Sequence, residues 1–365
     1  MKVGIVTIPD ITNYGNRLQN YAVGHVLRDS FGCKTVSLVS CKEKPFENGN
    51  YILWAKNFVA RQLCVFPEFA EKRFGCGMTR WANFYSWNKR NISTETYYGN
   101  PTMPDGVNDQ YDLFFAGSDQ IWNYRFPGTK YDDYFLKFAE DQKKAAICGS
   151  FGVESIPEEW RQIYIDGLSG FAHISVREDA GARIVKDLIG RDVPVLVDPV
   201  MLLSKEAWLK VARKPRVDTS KPYILKYYLR DEAEEERIDL WAKENGFEVY
   251  ELLNDKIPQL YSAGPGEFIS LIANASLVAS DSFHCIAFAI IFKKPFVVYA
   301  RRGAEDYMTS RLDTLLGKFG FENRWKHLLK PDAYLTCDHS LTDAIMAQEQ
   351  AKALKYIQQV LDSVQ

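Results

Sequence analysis

The stretch from Asn274 to Tyr299 constrains the fold more than any other part of the chain. Leu277 to Ala279 is an apolar run of strand length, and Ser280, Asp281 and Ser282 follow it. All three are favoured helix N-cap residues. Ile286 to Phe292 is then apolar without a break, as a buried helix requires, and Lys293-Lys294-Pro295 ends it. Phe296 to Ala300 reads as the next strand. The whole is a strand–turn–helix–strand unit with Asp281, Ser282 and His284 at the turn. In parallel sheets, ligands bind at the carboxyl ends of the strands, where helix N-termini point. The free N–H groups and partial positive charge there suit a phosphate or a carboxylate. His284 either fills the first helical turn and hydrogen-bonds within it, or serves such a ligand.

The same grammar recurs along the chain. Val3 to Ile8 reads as a buried first strand, and the turn formers Pro9 to Asn16 follow. A helix is expected from about Arg17 to Phe31, with Leu18, Tyr21, Ala22, His25 and Val26 on one face. Gly15 permits close backbone approach, while Asn13 and Asn16 either cap the helix or bind a ligand. One glycine makes no dinucleotide fingerprint. Lys34 to Val39 is a second strand. Tyr111 to Ala116 is another, and Gly117-Ser118-Asp119-Gln120-Ile121-Trp122 leaves its end. Asp119 there orients a sugar hydroxyl, acts as a base or caps a turn, and Trp122 is placed to stack on a ring. Strands are also expected at Lys144 to Ser150, at His173 to Glu178, and at Val193 to Val197, where Asp198-Pro199 stops the run. Arg177 either clamps an anion with its planar fork or pairs with Glu178 or another neighbour.

Strands alternating with helices make the class α/β, with mostly parallel sheets. A length of 365 residues suits two such domains, facing each other across a cleft. The boundary is expected in the Lys/Arg/Pro-rich stretch Arg213 to Lys221. That gives an N-terminal domain at 1–212, a C-terminal domain at 213–340, and a final amphipathic helix at 341–365 that packs back across the molecule. Residues 42–107 interleave Phe58, Phe66, Phe69, Phe74, Trp81, Phe84, Tyr85 and Trp87 with Lys72, Arg73, Arg80, Lys89 and Arg90. This reads as a helical insertion in the first domain, either a docking face for a glycan or membrane surface or a helical hairpin with a solvated basic side.

With 45 basic and 47 acidic residues, the chain offers no bulk attraction to nucleic acid. Its seven cysteines form no CxxC pair and are odd in number, which fits reduced thiols in the cytoplasm better than a disulfide framework or a zinc site. No acidic cluster resembles a metal cage. No apolar run reaches membrane-spanning length, and the first eight residues read as a strand rather than a signal peptide.

Several separated blocks together resemble the polysaccharide pyruvyl transferase family. They are Asn13 to Ala22, Ala116 to Asn123, Ser175 to Glu178, Val197 to Pro199 and Ser280 to His284. The resemblance spans nearly the whole chain and implies two Rossmann-like domains of the GT-B-like type. It implies transfer of the enolpyruvyl unit of phosphoenolpyruvate to a sugar of a cell-surface polysaccharide or its lipid-linked precursor, giving a pyruvate ketal and phosphate. The donor contacts then fall on Arg177, Ser282, Phe283 and His284. His284 is the expected acid and Asp119 the expected base, with Asn13, Tyr14, Asn16, Gln120 and Trp122 on the acceptor side. No obligatory cofactor or metal is expected, and contact with the inner membrane face would be peripheral. Many family members carry Gly-Thr after the His, whereas this chain has Cys285-Ile286, which bears on substrate choice. Two alternatives are a nucleotide-sugar transferase of the same fold, with Glu267 as its ribose contact, and a non-catalytic relative that binds glycans.

Overall fold

Every strand pairing among the described residues is parallel. The computed structural model describes residues 1–42, 75–126, 131–229, 236–300 and 309–364. In chain order the strands are β1 (Lys2–Val6), β2 (Lys34–Cys41), β3 (Thr94–Tyr98), β4 (Leu113–Ala116), β5 (Lys144–Gly149), β6 (His173–Val176), β7 (Tyr223–Tyr227), β8 (Glu248–Glu251), β9 (Leu277–Ser280) and β10 (Phe296–Val298). The main helices are α1 (Tyr14–Asp29), α2 (Cys76–Asn91), α3 (Glu158–Ser169), α4 (Asp179–Ile189), α5 (Lys205–Val211), α6 (Glu236–Glu244), α7 (Pro265–Asn274), α8 (Phe283–Ile291), α9 (Ser310–Phe319) and α10 (Thr342–Asp362).

One sheet has six strands in the order β3-β2-β1-β4-β5-β6 and the other has four in the order β10-β9-β7-β8. The first is the Rossmann order. The chain walks outward from β1 to one edge and then returns to lay β4 beside β1. That reversal opens a crevice between the carboxyl ends of β1 and β4. The four-stranded sheet reverses likewise between β7 and β9. Central strands such as β4 and β5 are buried along their whole length, which is why they read as continuous apolar runs.

The chain forms two compact units. One comprises Met1–Lys56, Lys89–Leu202 and Ala347–Gln365, the other Asn57–Asn88 and Leu203–Met346. This division differs from the expected one at 212/213. The turn to the second unit comes earlier because α5 belongs there, anchored by Trp208, whose ring meets Phe288 edge-on at 4.8 Å. The charged stretch Arg213 to Lys221 is a connection inside that unit. α2 as far as Asn88 also lies in the second unit rather than the first. Its Arg80 and Asn83 donate to the carbonyls of Tyr261 (3.0 Å) and Ser262 (2.8 Å), and the Trp87 indole donates to Val211. The later turns of α10 count with the first unit, where Tyr356 donates to the Ala146 carbonyl at 2.7 Å and Gln350 to Met201 at 2.7 Å.

Residues 42–107 are not all helical. Thr94-Glu95-Thr96-Tyr97-Tyr98, β-branched and aromatic, forms edge strand β3 in register with Ser37 to Cys41. Phe58, Phe66, Phe69, Lys72, Arg73 and Phe74 lie outside the described residues. The strand expected at Val193 to Val197 is a single bridge from Val195 to Val176. α1 starts at Tyr14, not near Arg17, because the Asn13 side chain accepts from the Asn16 N–H and closes the first turn early.

Candidate functional site

Polar residues gather at the carboxyl ends of β1, β4 and β6 in the first unit. The turn after β4 has unusual backbone geometry. Gly117 adopts φ +111°, and a Cβ there would meet the Ile147 carbonyl oxygen at 2.5 Å. Asp119 is left-handed at φ 74°, a conformation that Asp tolerates better than most side chains. Its Oδ1 accepts from the Gln120 N–H at 2.9 Å and from Arg177 Nη2 at 3.3 Å, and its Oδ2 accepts from Asn16 Nδ2. Arg177, the first residue past β6, donates from Nη1 to Asp198 Oδ2 at 2.6 Å. Asp198 also accepts from the Ser118 hydroxyl at 3.1 Å and from the Val200 N–H at 3.0 Å. Thr7 and Gln19 brace the turn, with the Thr7 hydroxyl donating to the Ser118 carbonyl and Gln19 Oε1 accepting from the Ser118 N–H.

The choice left open for Arg177 thus has a structural answer: the fork pairs with Asp198 and Asp119. Glu178 faces elsewhere, accepting from the Ser150 hydroxyl and the N–H groups of Phe151 and Gly152. Burial works against the charge of Arg177. Asp198, then Asp119 and Glu178, outweigh it, so its pKa lies above that of an ordinary arginine. One guanidinium serves two carboxylates unequally. The Asp198 side chain is 0% exposed and holds the short contact, while that of Asp119 is 10% exposed and holds the long one.

The second unit presents a different turn. The Ser280 hydroxyl donates to the Tyr227 carbonyl and accepts from the Ser282 N–H, and Asp281 accepts from the Leu229 N–H at 3.0 Å. These bonds knit the ends of β7 and β9 at that sheet's reversal point, so Ser280 and Asp281 build the turn. Ser282 occupies the N-cap position of α8, yet its side chain makes no capping bond. Among the described residues its hydroxyl has no hydrogen bond, and the residue is 5% exposed. His284 follows in the first helical turn, 7% exposed, with its ring edge-on to Phe283 at 5.3 Å. Cys285 and Ile286 are wholly buried, and burial pushes the Cys285 thiol up to about 12.

Of the expected acceptor residues, Asn13 caps α1, Asn16 holds Asp119, and Gln120 accepts from Asn123 Nδ2 at 2.7 Å. Three expectations need correction. Trp122 cannot stack on a sugar, because it is 0% exposed, packed on Phe151 (5.2 Å) and Phe171 (5.8 Å), with its indole N–H on the Tyr134 carbonyl. Tyr14 is equally buried. Glu267 is no free ribose ligand either: it closes a capping box on its own helix, accepting from the Gly264 N–H at 3.1 Å. Asp198, Ser118, Gln19 and Thr7 were missed as members of the cluster. Asp198 carried two signals, its place between a β-like run and a proline, where it read as a stop, and its membership of the Val197–Pro199 block. Among the described residues no grouping of His, Cys, Asp or Glu could hold a metal, and no helix is long and apolar enough to cross a membrane.

The sequence profile of the polysaccharide pyruvyl transferase family matches residues 13–303, a span that includes both turns. The chain belongs to this family. No curated protein matches it. Solved structures similar to this pyruvyl transferase family member include Anabaena HepE in complex with UDP and glucose (12% identity, all of both chains, TM-score 0.48). A glycosyltransferase from Rickettsia africae (13%, 99% of this chain and 98% of that one, 0.46) and the UDP-GlcNAc 2-epimerase of Methanocaldococcus jannaschii (13%, 98% and 100%, 0.47) are also similar.

Proposed function

We propose that the protein transfers the enolpyruvyl unit of phosphoenolpyruvate to two hydroxyls of a sugar in a cell-surface polysaccharide or its lipid-linked precursor. The product is a pyruvate ketal, and phosphate leaves. The observation that carries this reading is the turn Ser282-Phe283-His284 in a member of this family. An N-cap hydroxyl that makes no hydrogen bond among the described residues and the first N–H groups of α8 make a seat for an anion, with an imidazole beside it.

The chemistry assigns work to each group. Protonating the donor's methylene carbon creates positive charge at its central carbon, and His284 is the acid. One sugar hydroxyl then attacks that carbon. The carbon–oxygen bond to phosphate breaks, and the leaving phosphate meets the Ser282 hydroxyl and the N-terminus of α8. A second hydroxyl attacks the same carbon and closes the ketal. Of the two hydroxyl protons, one replaces that given to the methylene and the other leaves with phosphate. In the first unit Asp119 takes the proton of an attacking hydroxyl, with Asn16 and Gln120 fixing its carboxylate. Arg177 engages the donor's carboxylate only by releasing Asp119, its more weakly held partner. That exchange would free the base as the donor arrives. Asn13 remains on the acceptor side, half-buried at the start of α1. No cofactor is required by this scheme.

Phosphate release from phosphoenolpyruvate with a panel of sugar acceptors tests the reading. Acceptor-dependent release supports it. Thermal stabilisation by a nucleotide sugar, with none by phosphoenolpyruvate, would overturn it in favour of glycosyl transfer.

A further inference from the structure

Arg17 breaks the electrostatic rules of its surroundings. It is the fourth residue of α1, counted from Tyr14, and only 6% of it is exposed. One terminal nitrogen, Nη2, donates to the Ile8 carbonyl at 2.6 Å. Its Nε is buried with no hydrogen-bond partner. Among the described residues no carboxylate lies within ion-pair distance, whereas Arg177 has two. The other deeply buried arginine with a full set of contacts, Arg324, spends its guanidinium on four carbonyl oxygens, of Phe296, Ala333, Thr336 and Tyr334. Arg17 has neither solution. Burial lowers its pKa to about 10, against the opposing pull of Asp10 and Asp119, so it stays charged at neutral pH.

Its location sharpens the anomaly. A helix N-terminus favours negative charge, yet the first turn of this 16-residue helix contains no acidic residue and a buried cation follows at once. The end of β1 is also one side of the Rossmann crevice, where ligands of such sheets sit. A bound anion would supply the missing charge and take the orphaned Nε–H.

We propose that Arg17 and the first turn of α1 form an anion subsite for a phosphoryl group, separate from the seat at Ser282. Resting on the transfer reading above, the subsite takes a phosphate borne by the acceptor, so the substrate is a phosphorylated glycan precursor rather than a neutral finished polysaccharide.

Calorimetric titration of the full-length protein with inorganic phosphate, glucose 1-phosphate and phosphoenolpyruvate tests this, in the parent and in Arg17→Gln. The expected result is at least a tenfold loss of affinity for inorganic phosphate and glucose 1-phosphate in the variant, with phosphoenolpyruvate affinity changed less than twofold. Equal affinity for both phosphates in parent and variant overturns the subsite. A loss confined to phosphoenolpyruvate overturns it too, by giving Arg17 to the donor. These outcomes are independent of ketal formation, so failure of the transfer reading leaves them interpretable. A melting measurement guards against a folding artefact. Phosphate should raise the parent's melting temperature above that in chloride of equal ionic strength, and Arg17→Lys, which keeps charge but loses the fork, should retain only part of that rise. No phosphate-specific rise in the parent overturns the proposal.

Discussion

The two sheets meet the same problem, a polar turn at a reversal point, in opposite ways. In the first unit the turn after β4 is cross-linked. Asn16 and Arg177 hold Asp119, and Arg177 and Ser118 hold Asp198. In the second unit Ser280 and Asp281 build the turn and leave the Ser282 hydroxyl uncommitted. The difference separates what a site is made of from what it offers. A closed charge cluster fixes geometry and stores charge that a ligand must displace. An N-cap hydroxyl that makes no bond among the described residues would receive the proposed anion with nothing to displace. The two kinds of turn therefore respond differently to mutation, the first chiefly through stability and the second chiefly through turnover.

Arg177→Met should show the largest effect. It leaves Asp198 and Asp119 without their shared cation, and breaking one member out of a buried pair typically costs about 3–5 kcal/mol. Urea unfolding measures this. A loss below about 1 kcal/mol would mean that the cluster is better hydrated than its burial implies. His284→Gln is the counterpart in the open turn. It should leave the unfolding midpoint nearly unchanged and cut turnover by about 10²–10⁴-fold, the range for loss of a positioned acid. Parent-like turnover would remove His284 from the chemistry, and an unfolded variant would make it a structural residue.

Asp119→Asn tests the border between the two behaviours. The amide keeps the shape of the turn but cannot serve as a base, and it weakens the hold on Arg177. Turnover should fall roughly 10–10²-fold while donor affinity by calorimetry is kept or improved, since the donor no longer competes with a carboxylate for the fork. Weaker donor binding would contradict the exchange proposed at Arg177.

Most of the fold was legible because it rests on local apolar runs. The strands β1, β4, β5 and β9 are short, continuous and punctuated by Gly, Ser and Asp, so their carboxyl-end turns could be located from the sequence. What was not legible depends on which side of a run faces the core. Trp122 sits next to Ile121 after a polar turn, and nothing local distinguishes an aromatic at a mouth from one folded back onto Phe151. Arg177 and Asp198 are 21 residues apart, and their pairing exists only once β6 and the segment after Val195 are aligned. β3 was hidden because an edge strand carries little apolar signal, its middle residues being half-buried and its two ends exposed. Arg17 passed as an ordinary helix residue, since only burial makes its charge conspicuous.

The smallest effect, and the finest comparison, concerns Cys285, directly behind the open turn. Burial raises its thiol from 9.0 to about 12, with the Ser280 hydrogen bond opposing and Asp281 adding to the rise. Below pH 9 the thiol is protonated in both folded and unfolded chains and is neutral to the pH dependence of stability. Between pH 9 and about 12 the unfolded chain loses this proton while the folded chain holds it. Stability must therefore fall as pH rises through that window, by at most about 1.4 kcal/mol per pH unit from this group. Cys285→Ala removes the group. Its unfolding free energy will be lower at neutral pH because of the cavity, but it should decline less steeply than the parent's between pH 9 and 10.5. Parallel slopes, or alkylation of Cys285 in the native state at the rate of a free thiol, would show that solvent reaches the floor of the turn, and the Ser282 seat would then be wetter than its burial indicates.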